Sequence, residues 1–234
     1  MTHPIGSRKR SLVLLSGGLD SAANLAFCRE YDDPVLAVTV RYGQKAQDKE
    51  VSAARKICEV YQVEHRVLDL PWLGQLGGSS LTSNETSVPK VATRDLDDKM
   101  ITEKSAQSVW VPNRNGILIN VAAAIAESLK IERIVVGFNS EEAATFPDNS
   151  EEFLKRATRA LEYSTSNQAQ VFCYTTDKNK KQIVSELELL PNSFPFDLVW
   201  SCYHGGEKPC GECESCRRSA RALQNLNEDW NRKE

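Results

Sequence analysis

The chain has 234 residues, 41% of them hydrophobic and 26% charged, which suits one domain with a buried core, or one domain with a small appendage. Its net charge of −3, with no basic cluster, counts against a dedicated nucleic-acid binder, whose affinity draws on counterion release. No stretch reaches the ~18 consecutive apolar residues of a membrane helix, and the run Leu12–Leu15 behind Arg8, Lys9 and Arg10 is too short for a signal peptide, so a cytoplasmic protein is expected.

Ser11–Leu15 is a short apolar run before glycines and reads as a buried strand. A helix over 20–30 follows, with Ala22, Leu25 and Ala26 on one face. Asp32-Asp33-Pro34 is a turn, Val35–Val40 a second strand, and residues 46–61 a helix whose stripe is Val51, Ala54, Ile57, Cys58 and Tyr61. His65–Leu70 is a third strand. The alternation of strand and helix implies a parallel sheet with helices on its faces. Residues 74–108 break the pattern. They are rich in Gly, Ser, Thr and charge, and they read as a long loop or lid over the site. Regular structure resumes with a helix over 115–129, a strand over 133–138 ending near Gly137, and a helix over 150–163 with Ser150 as N-cap. A strand over 171–174, a helix over 181–190 closed by Pro191, and a last helix over 216–226 complete the chain. The run Lys178–Lys181 reads as a solvated turn.

Ser16-Gly17-Gly18-Leu19-Asp20-Ser21 joins the first strand to the first helix. Backbone N–H groups at a helix N-terminus lack intrahelical partners, and with the helix dipole they form an anion site. Glycines let the backbone approach phosphate oxygens, and Ser16 and Ser21 add hydroxyls. Asp20 could cap the helix or hold the metal ion that accompanies nucleotide phosphates. The segment is neither the G-x-x-x-x-G-K-[ST] loop nor G-x-G-x-x-G.

Of seven cysteines, Cys28, Cys58 and Cys173 fall on regular elements and read as packing residues. Cys202, Cys210, Cys213 and Cys216 crowd into C-x7-C-x2-C-x2-C. Four thiolates satisfy tetrahedral zinc and leave no open position, so this knuckle is read as structural. Gly205, Gly206, Pro209 and Gly211 supply its turns. His204 could replace one sulfur; His65 and His3 read as incidental.

The loop Ser16–Ser21 resembles the PP-loop of the N-type ATP pyrophosphatases, and with Cys202…Cys216 it is similar to the 7-cyano-7-deazaguanine synthase family over nearly the whole chain. Tyr42-Gly43-Gln44, Val111-Pro112 with Arg114-Asn115, Gly137, Phe146-Pro147-Asp148 and Cys202-Tyr203 agree with it. The resemblance implies an adenine nucleotide alpha hydrolase-like, Rossmann-like α/β fold. A PP-loop domain would span 1–201, with a zinc-binding segment, 202–234, packed on it. It implies nucleotide contacts from Leu15, Ser16, Gly17, Gly18, Leu19, Asp20, Ser21, Tyr42, Gly43 and Gln44. Asp20, Ser21 and Arg114 would be catalytic, and Arg114, Asn115, Glu142, Phe146 and Asp148 would meet the substrate. Arg114 would pair with a carboxylate or phosphate, Asp148 or Glu142 would read a guanine-like edge, and Phe146 would stack on the base. The implied reaction turns 7-carboxy-7-deazaguanine and ammonia into 7-cyano-7-deazaguanine, with ATP, magnesium and structural zinc. No glutaminase domain is present, so free ammonia is implied, and a homodimer is a family expectation. The sequence departs from the family pattern at Ala46, Asn113 and Asn149, all near the implied substrate pocket. A divergent deazaguanine-activating relative and a tRNA-modifying PP-loop enzyme are the alternatives, together with a zinc-stabilised nucleotide-binding module without turnover.

Overall fold

A computed structural model describes residues 8–231, with side chains to residue 224; His3 lies outside the described residues. Strands β1 (Arg10–Leu14), β2 (Asp33–Arg41), β3 (His65–Asp69), β4 (Arg133–Val135) and β5 (Gln170–Phe172) form one parallel sheet in the order β3-β2-β1-β4-β5. Val13 of β1 lies opposite Ala37 on one side and Val135 on the other. Parallel neighbours cannot be joined by hairpins, so each connection crosses a face of the sheet.

The pleat of β1 divides the interior. Val13 and, just past the strand, Leu15 point into one core with Leu25 of α1 (Leu19–Tyr31), Ile57 of α2 (Gln47–Tyr61) and Ile183 near the C-terminus. Leu12 points into the other, with Ile119 and Ala126 of a helix over 114–128 and Leu154 and Leu161 of one over 151–164. Each fully buried Leu or Ile contributes roughly 1.5–3 kcal/mol. The helices therefore cover both faces, as the strand–helix alternation implies. Cys28, Cys58 and Cys173 sit in these two cores as packing residues, and no disulfide joins the described cysteines.

The segment 74–108 is not the structureless loop that its composition suggests. A short helix α3 (Pro71–Gln75) leads into it and an eleven-residue helix α4 (Lys99–Val109) closes it, capped by the Asp98 side chain on the amides of Met100 and Ile101. The buried face of α4 is Thr102, Ser105, Ala106 and Val109, while Met100 and Ile101 are exposed. Polar residues on the inner face and apolar ones outside hide the helical period. Irregular as much of it is, the segment is tied down: Lys45 N donates to Leu81 O (2.8 Å), Val91 N to Glu212 O (3.0 Å), and Lys45 Nζ to Thr86 O (2.7 Å).

Helix α5 (Arg114–Ser128) starts one residue before its expected range, from Asn113 in the left-handed region (φ 50°). Asn115 is thus inside the helix and does not cap it. A short helix α6 (Ser140–Ala143) precedes α7 (Glu151–Ser164), whose N-cap is Ser150 as the sequence implies. Then come α8 (Lys180–Glu188) and the long α9 (Glu214–Asn231). Among the described residues, no helix is long and apolar enough to cross a membrane.

The strand order reverses at β1: β2 and β3 lie to one side, β4 and β5 to the other. In open parallel sheets such a switch point leaves a crevice beyond the carboxyl ends of the two central strands. The Ser16–Ser21 loop leaves β1 there, and Gly137 follows β4.

Candidate active site

The loop opens α1 with Gly18 at the N-cap, which has no side chain to cap the first turn. Its amides are left to a ligand or to neighbours. Neighbours take some of them: Leu19 N donates to Ser201 Oγ and Gly18 N to Ser16 Oγ, both at 3.3 Å. The Ser21 hydroxyl lies 3.1 Å from Ser16 N and from Gly18 O and 3.0 Å from Ser16 Oγ, which holds the loop curled. Gly17 has φ +79°, and a Cβ there would fall 2.7 Å from Glu50 O, so only glycine lets the loop lie against α2. Gly137 is as tightly placed: its Cβ would lie 2.5 Å from Ser21 N and Cα.

Asp20 joins an ion cluster that the sequence conceals. Lys180, read as part of a solvated turn, is buried; its ammonium donates to Asp20 Oδ2 and, at 2.9 Å, to Glu142 Oε1. Burial opposes the lysine's charge, yet the two carboxylates hold it protonated, above its ordinary range. Burial likewise works against the Glu142 carboxylate, but the charge and hydrogen bond of Lys180, with Asn139 and Arg218, together outweigh it and keep that carboxyl below its ordinary range. Asp20 moves up, first through burial, with Glu142 and Glu141 adding to the rise against the pull of Lys180. The other oxygen, Asp20 Oδ1, is buried without a hydrogen-bond partner. An unpaired carboxylate oxygen beside a helix N-terminus fits a divalent cation.

Behind Glu142, Glu141 Oε2 accepts from Arg218 Nη1 (2.8 Å) and Arg221 Nη2 (3.1 Å) of α9, and Arg218 also holds Leu96 O (3.0 Å).

A cavity of about 230 Å³ lies in the crevice. Leu15, Ser16, Gly18, Leu19, Asp20, Ser21, Tyr42, Gln44, Arg114, Asn115, Glu142, Phe146 and Asp148 all line it. Gly17 and Gly43 do not; their positive φ (79° and 91°) shapes the backbone behind it. Gln44 has a largely committed side chain. It accepts from Tyr42 N (2.8 Å) and donates to Val40 O (3.1 Å) and Glu50 Oε2 (2.8 Å), so it braces the wall. Asn115 is a second brace: it accepts from Arg114 Nε and donates to Asp148 O, both at 3.2 Å. The Tyr42 hydroxyl lies 3.5 Å from Arg114 Nη1. Burial works against the Arg114 charge, but Tyr42, Asp148 and Tyr203 keep the guanidinium protonated. Burial raises the Asp148 carboxyl, with Arg114 opposing. Since Glu142 is bound to Lys180, Asp148 is the freer acid for a base edge.

The sequence assigns no role to several further lining residues. Glu50 stands on the first turns of α2, and Trp110 faces Phe146 with ring centroids 6.2 Å apart and planes 7° from parallel. Trp200 and Ser201 enter from just before the first knuckle cysteine, and Tyr203 from just after it. Trp200 N donates to Gly17 O at 2.8 Å. Isolated aromatics and acids in irregular sequence carry no spacing signal. Only the order of the strands brings them together.

The Sγ atoms of Cys202, Cys210, Cys213 and Cys216 all lie within 4.8 Å of one another, and Cys210 and Cys216 are 3.9 Å apart. Tetrahedral zinc with Zn–S near ~2.3 Å requires sulfurs about 3.8 Å apart, so four thiolates here fit that ion. The amides of His204 and Cys210 point at Cys202 Sγ, and those of Glu212 and Cys213 at Cys210 Sγ, at 3.3–3.4 Å. Such bonds offset thiolate charge. His204 is outside the cluster, and His65 is bonded to Thr39 Oγ1 (2.8 Å) on the sheet.

A family model described as "Queuosine biosynthesis protein QueC" matches residues 10–227. The 7-cyano-7-deazaguanine synthase of Desulforamulus reducens is 49% identical over 216 residues, 92% of this chain and 94% of that protein. The enzyme of that name from Methanosarcina mazei is 44% identical over 220 residues, covering 93% and 94%. That from Bdellovibrio bacteriovorus is 46% identical over 222 residues, covering 94% and 95%.

Proposed function

The chain belongs to the QueC family of queuosine biosynthesis proteins, and on that premise we propose that it converts 7-carboxy-7-deazaguanine, ammonia and ATP to 7-cyano-7-deazaguanine. The observation that carries the reading is that an uncapped helix N-terminus, a guanidinium and a parallel aromatic pair open into one cavity. Those are the parts needed for a triphosphate, a carboxylate and a flat base.

A carboxylate is a poor electrophile because its oxygen leaves badly. Arg114 holds the substrate carboxylate, while the Gly18–Ser21 amides and the Ser16 and Ser21 hydroxyls hold the triphosphate. A carboxylate oxygen attacks the α-phosphorus, pyrophosphate departs, and the acyl group now carries AMP as its leaving group. Ammonia displaces AMP to give the amide. The amide oxygen is adenylated in turn by a second ATP, and loss of AMP leaves the nitrile. A divalent cation on Asp20 would neutralise phosphate charge when bound. Zinc on the four cysteines would keep Trp200 and Ser201 against the loop. The chain's main contribution is position and fixed charge; Leu81 of the segment 74–108 lines the cavity, which supports a role for that segment in limiting water that would hydrolyse the adenylate.

The reading sets the enzyme in the cytoplasm, acting on small molecules. The test is incubation with ATP, ammonium and 7-carboxy-7-deazaguanine, with product read by mass. The nitrile and AMP are expected; AMP formation that ignores the acid would overturn the proposal.

A further inference from the structure

We propose that Glu50 is the residue that captures ammonium and takes protons from the nitrogen, an inference that rests on the reading above. The chemistry poses the need. Nitrogen enters as ammonium with four hydrogens and leaves as a nitrile with none, while both carboxylate oxygens depart on AMP. The site must therefore hold a proton acceptor on the side from which nitrogen arrives.

Glu50 has the required placement. It lines the same cavity as the phosphate loop and Arg114. One carboxylate oxygen, Oε2, is fixed by Gln44 at 2.8 Å, and Gln44 is itself anchored to Tyr42 N and Val40 O. The Glu50 backbone lies against Gly17, so the side chain starts beside the Ser16–Ser21 loop. The groups acting on it are Gln44, Arg114 and the Tyr42 hydroxyl. Among the described residues no lysine forms an ion pair with it, in contrast to Asp20 and Glu142, which share Lys180. Asp148, the other cavity acid, stands beside Phe146, where a base edge is read. Burial raises the Glu50 carboxyl, with Gln44 and Arg114 opposing. That shift brings it toward the range in which a carboxylate works as a base near neutral pH.

The steps balance as follows. Ammonium binds the Glu50 carboxylate and gives it one proton, leaving ammonia with its lone pair free. That pair attacks the acyl carbon next to Arg114; the C–N bond forms, and the C–O bond to AMP breaks with its electrons leaving on AMP. The second nitrogen proton goes to solvent as the intermediate collapses. Glu50 releases its own proton to solvent and is ionised again when the amide is adenylated. It then accepts one of the two remaining N–H protons, and the last leaves to solvent as the C–O bond to the second AMP breaks.

The test is Glu50→Gln, which keeps an acceptor oxygen for Gln44 and loses the basic one. Acid-dependent exchange of pyrophosphate into ATP needs no nitrogen and is expected to persist. Turnover with ammonium at neutral pH should fall on the order of 100-fold, the usual worth of a positioned base, and should recover as pH rises and free ammonia accumulates. Hydroxylamine, already unprotonated at neutral pH, should form the hydroxamate at the parent rate. Parent-like turnover with ammonium, loss of exchange, or equal loss with both nucleophiles would each overturn the assignment. Absence of acid-dependent exchange in the parent protein would instead remove the adenylation reading beneath it.

Discussion

Lys180 reaches Asp20 across 160 residues of sequence, from the first position of α8 to the phosphate loop, and its ammonium is shared with Glu142. One buried cation and two partly buried carboxylates thus fix the loop relative to α6 and α8. Removing the cation leaves two partly buried carboxylates uncompensated, a change that costs at most about 3–5 kcal/mol, less whatever solvent screens at Glu142. Lys180→Met should therefore lower Tm at pH 7, and the deficit should shrink on acidification as both carboxylates protonate. The sign follows from Glu142. Its folded pKa is depressed below 4.5, so the stability it contributes is present above that value and is lost as pH falls through the folded one. Thermal melts across pH read this directly; a deficit that grows toward acid would contradict the cluster.

Gly137 predicts a steric coupling between β4 and the loop. A Cβ there would fall 2.5 Å from Ser21 N and Cα, which are backbone atoms of α1 and cannot swing away. Gly137→Ala should destabilise by about 1–3 kcal/mol and raise the KM for ATP. Gly116→Ala is the control. Its Cβ would meet the Asn113 side chain at 2.3 Å, and that side chain can turn aside. Equal effects of the two substitutions would show that the loop does not depend on Gly137.

The parts of this site that could be read in advance are those written in contiguous residues. Ser16–Ser21 declares itself because a strand, two glycines and two hydroxyls must be consecutive to wrap a phosphate. The knuckle declares itself because C-x2-C turns place paired sulfurs on one ion. Lys180 gives no such sign: it sits among Lys178 and Lys181 in a polar run, and its partners come from two other elements. Helix α4 is hidden for a related reason, since its buried face carries Thr102 and Ser105. Glu142 was legible as a cavity residue, but its engagement by Lys180 was not.

The knuckle should do more than hold the C-terminal segment. Cys202 follows Trp200 and Ser201, which bond Gly17 O and Leu19 N of the phosphate loop. Cys213 bridges Lys90, and Ala222 of α9 lies in the core beside α1 and α8. One zinc per chain is expected by metal analysis. Chelation or Cys213→Ser should lower Tm and weaken nucleotide binding measured by calorimetry. Protein purified without zinc that keeps both parent stability and parent affinity would contradict this coupling.

On the proposed reading, Trp110 and Phe146 would separate recognition of the acid from recognition of ATP. Their rings are within 7° of parallel with centroids 6.2 Å apart, and both line the cavity, as does Asp148, two residues beyond Phe146. A flat bicyclic base packs well on such faces, and stacking contributes about 1–3 kcal/mol per ring, as it does for nucleic-acid bases on aromatic side chains. Trp110→Ala should accordingly raise the KM for the acid roughly 5- to 150-fold, with the KM for ATP little changed, because the phosphate loop makes none of these contacts. Phe146→Ala should act in the same direction, while Phe146→Tyr keeps the ring and should stay close to the parent. Steady-state kinetics varying each substrate in turn distinguish the cases. A rise in the KM for ATP of the same size as that for the acid would mean that the aromatic pair faces the nucleotide instead.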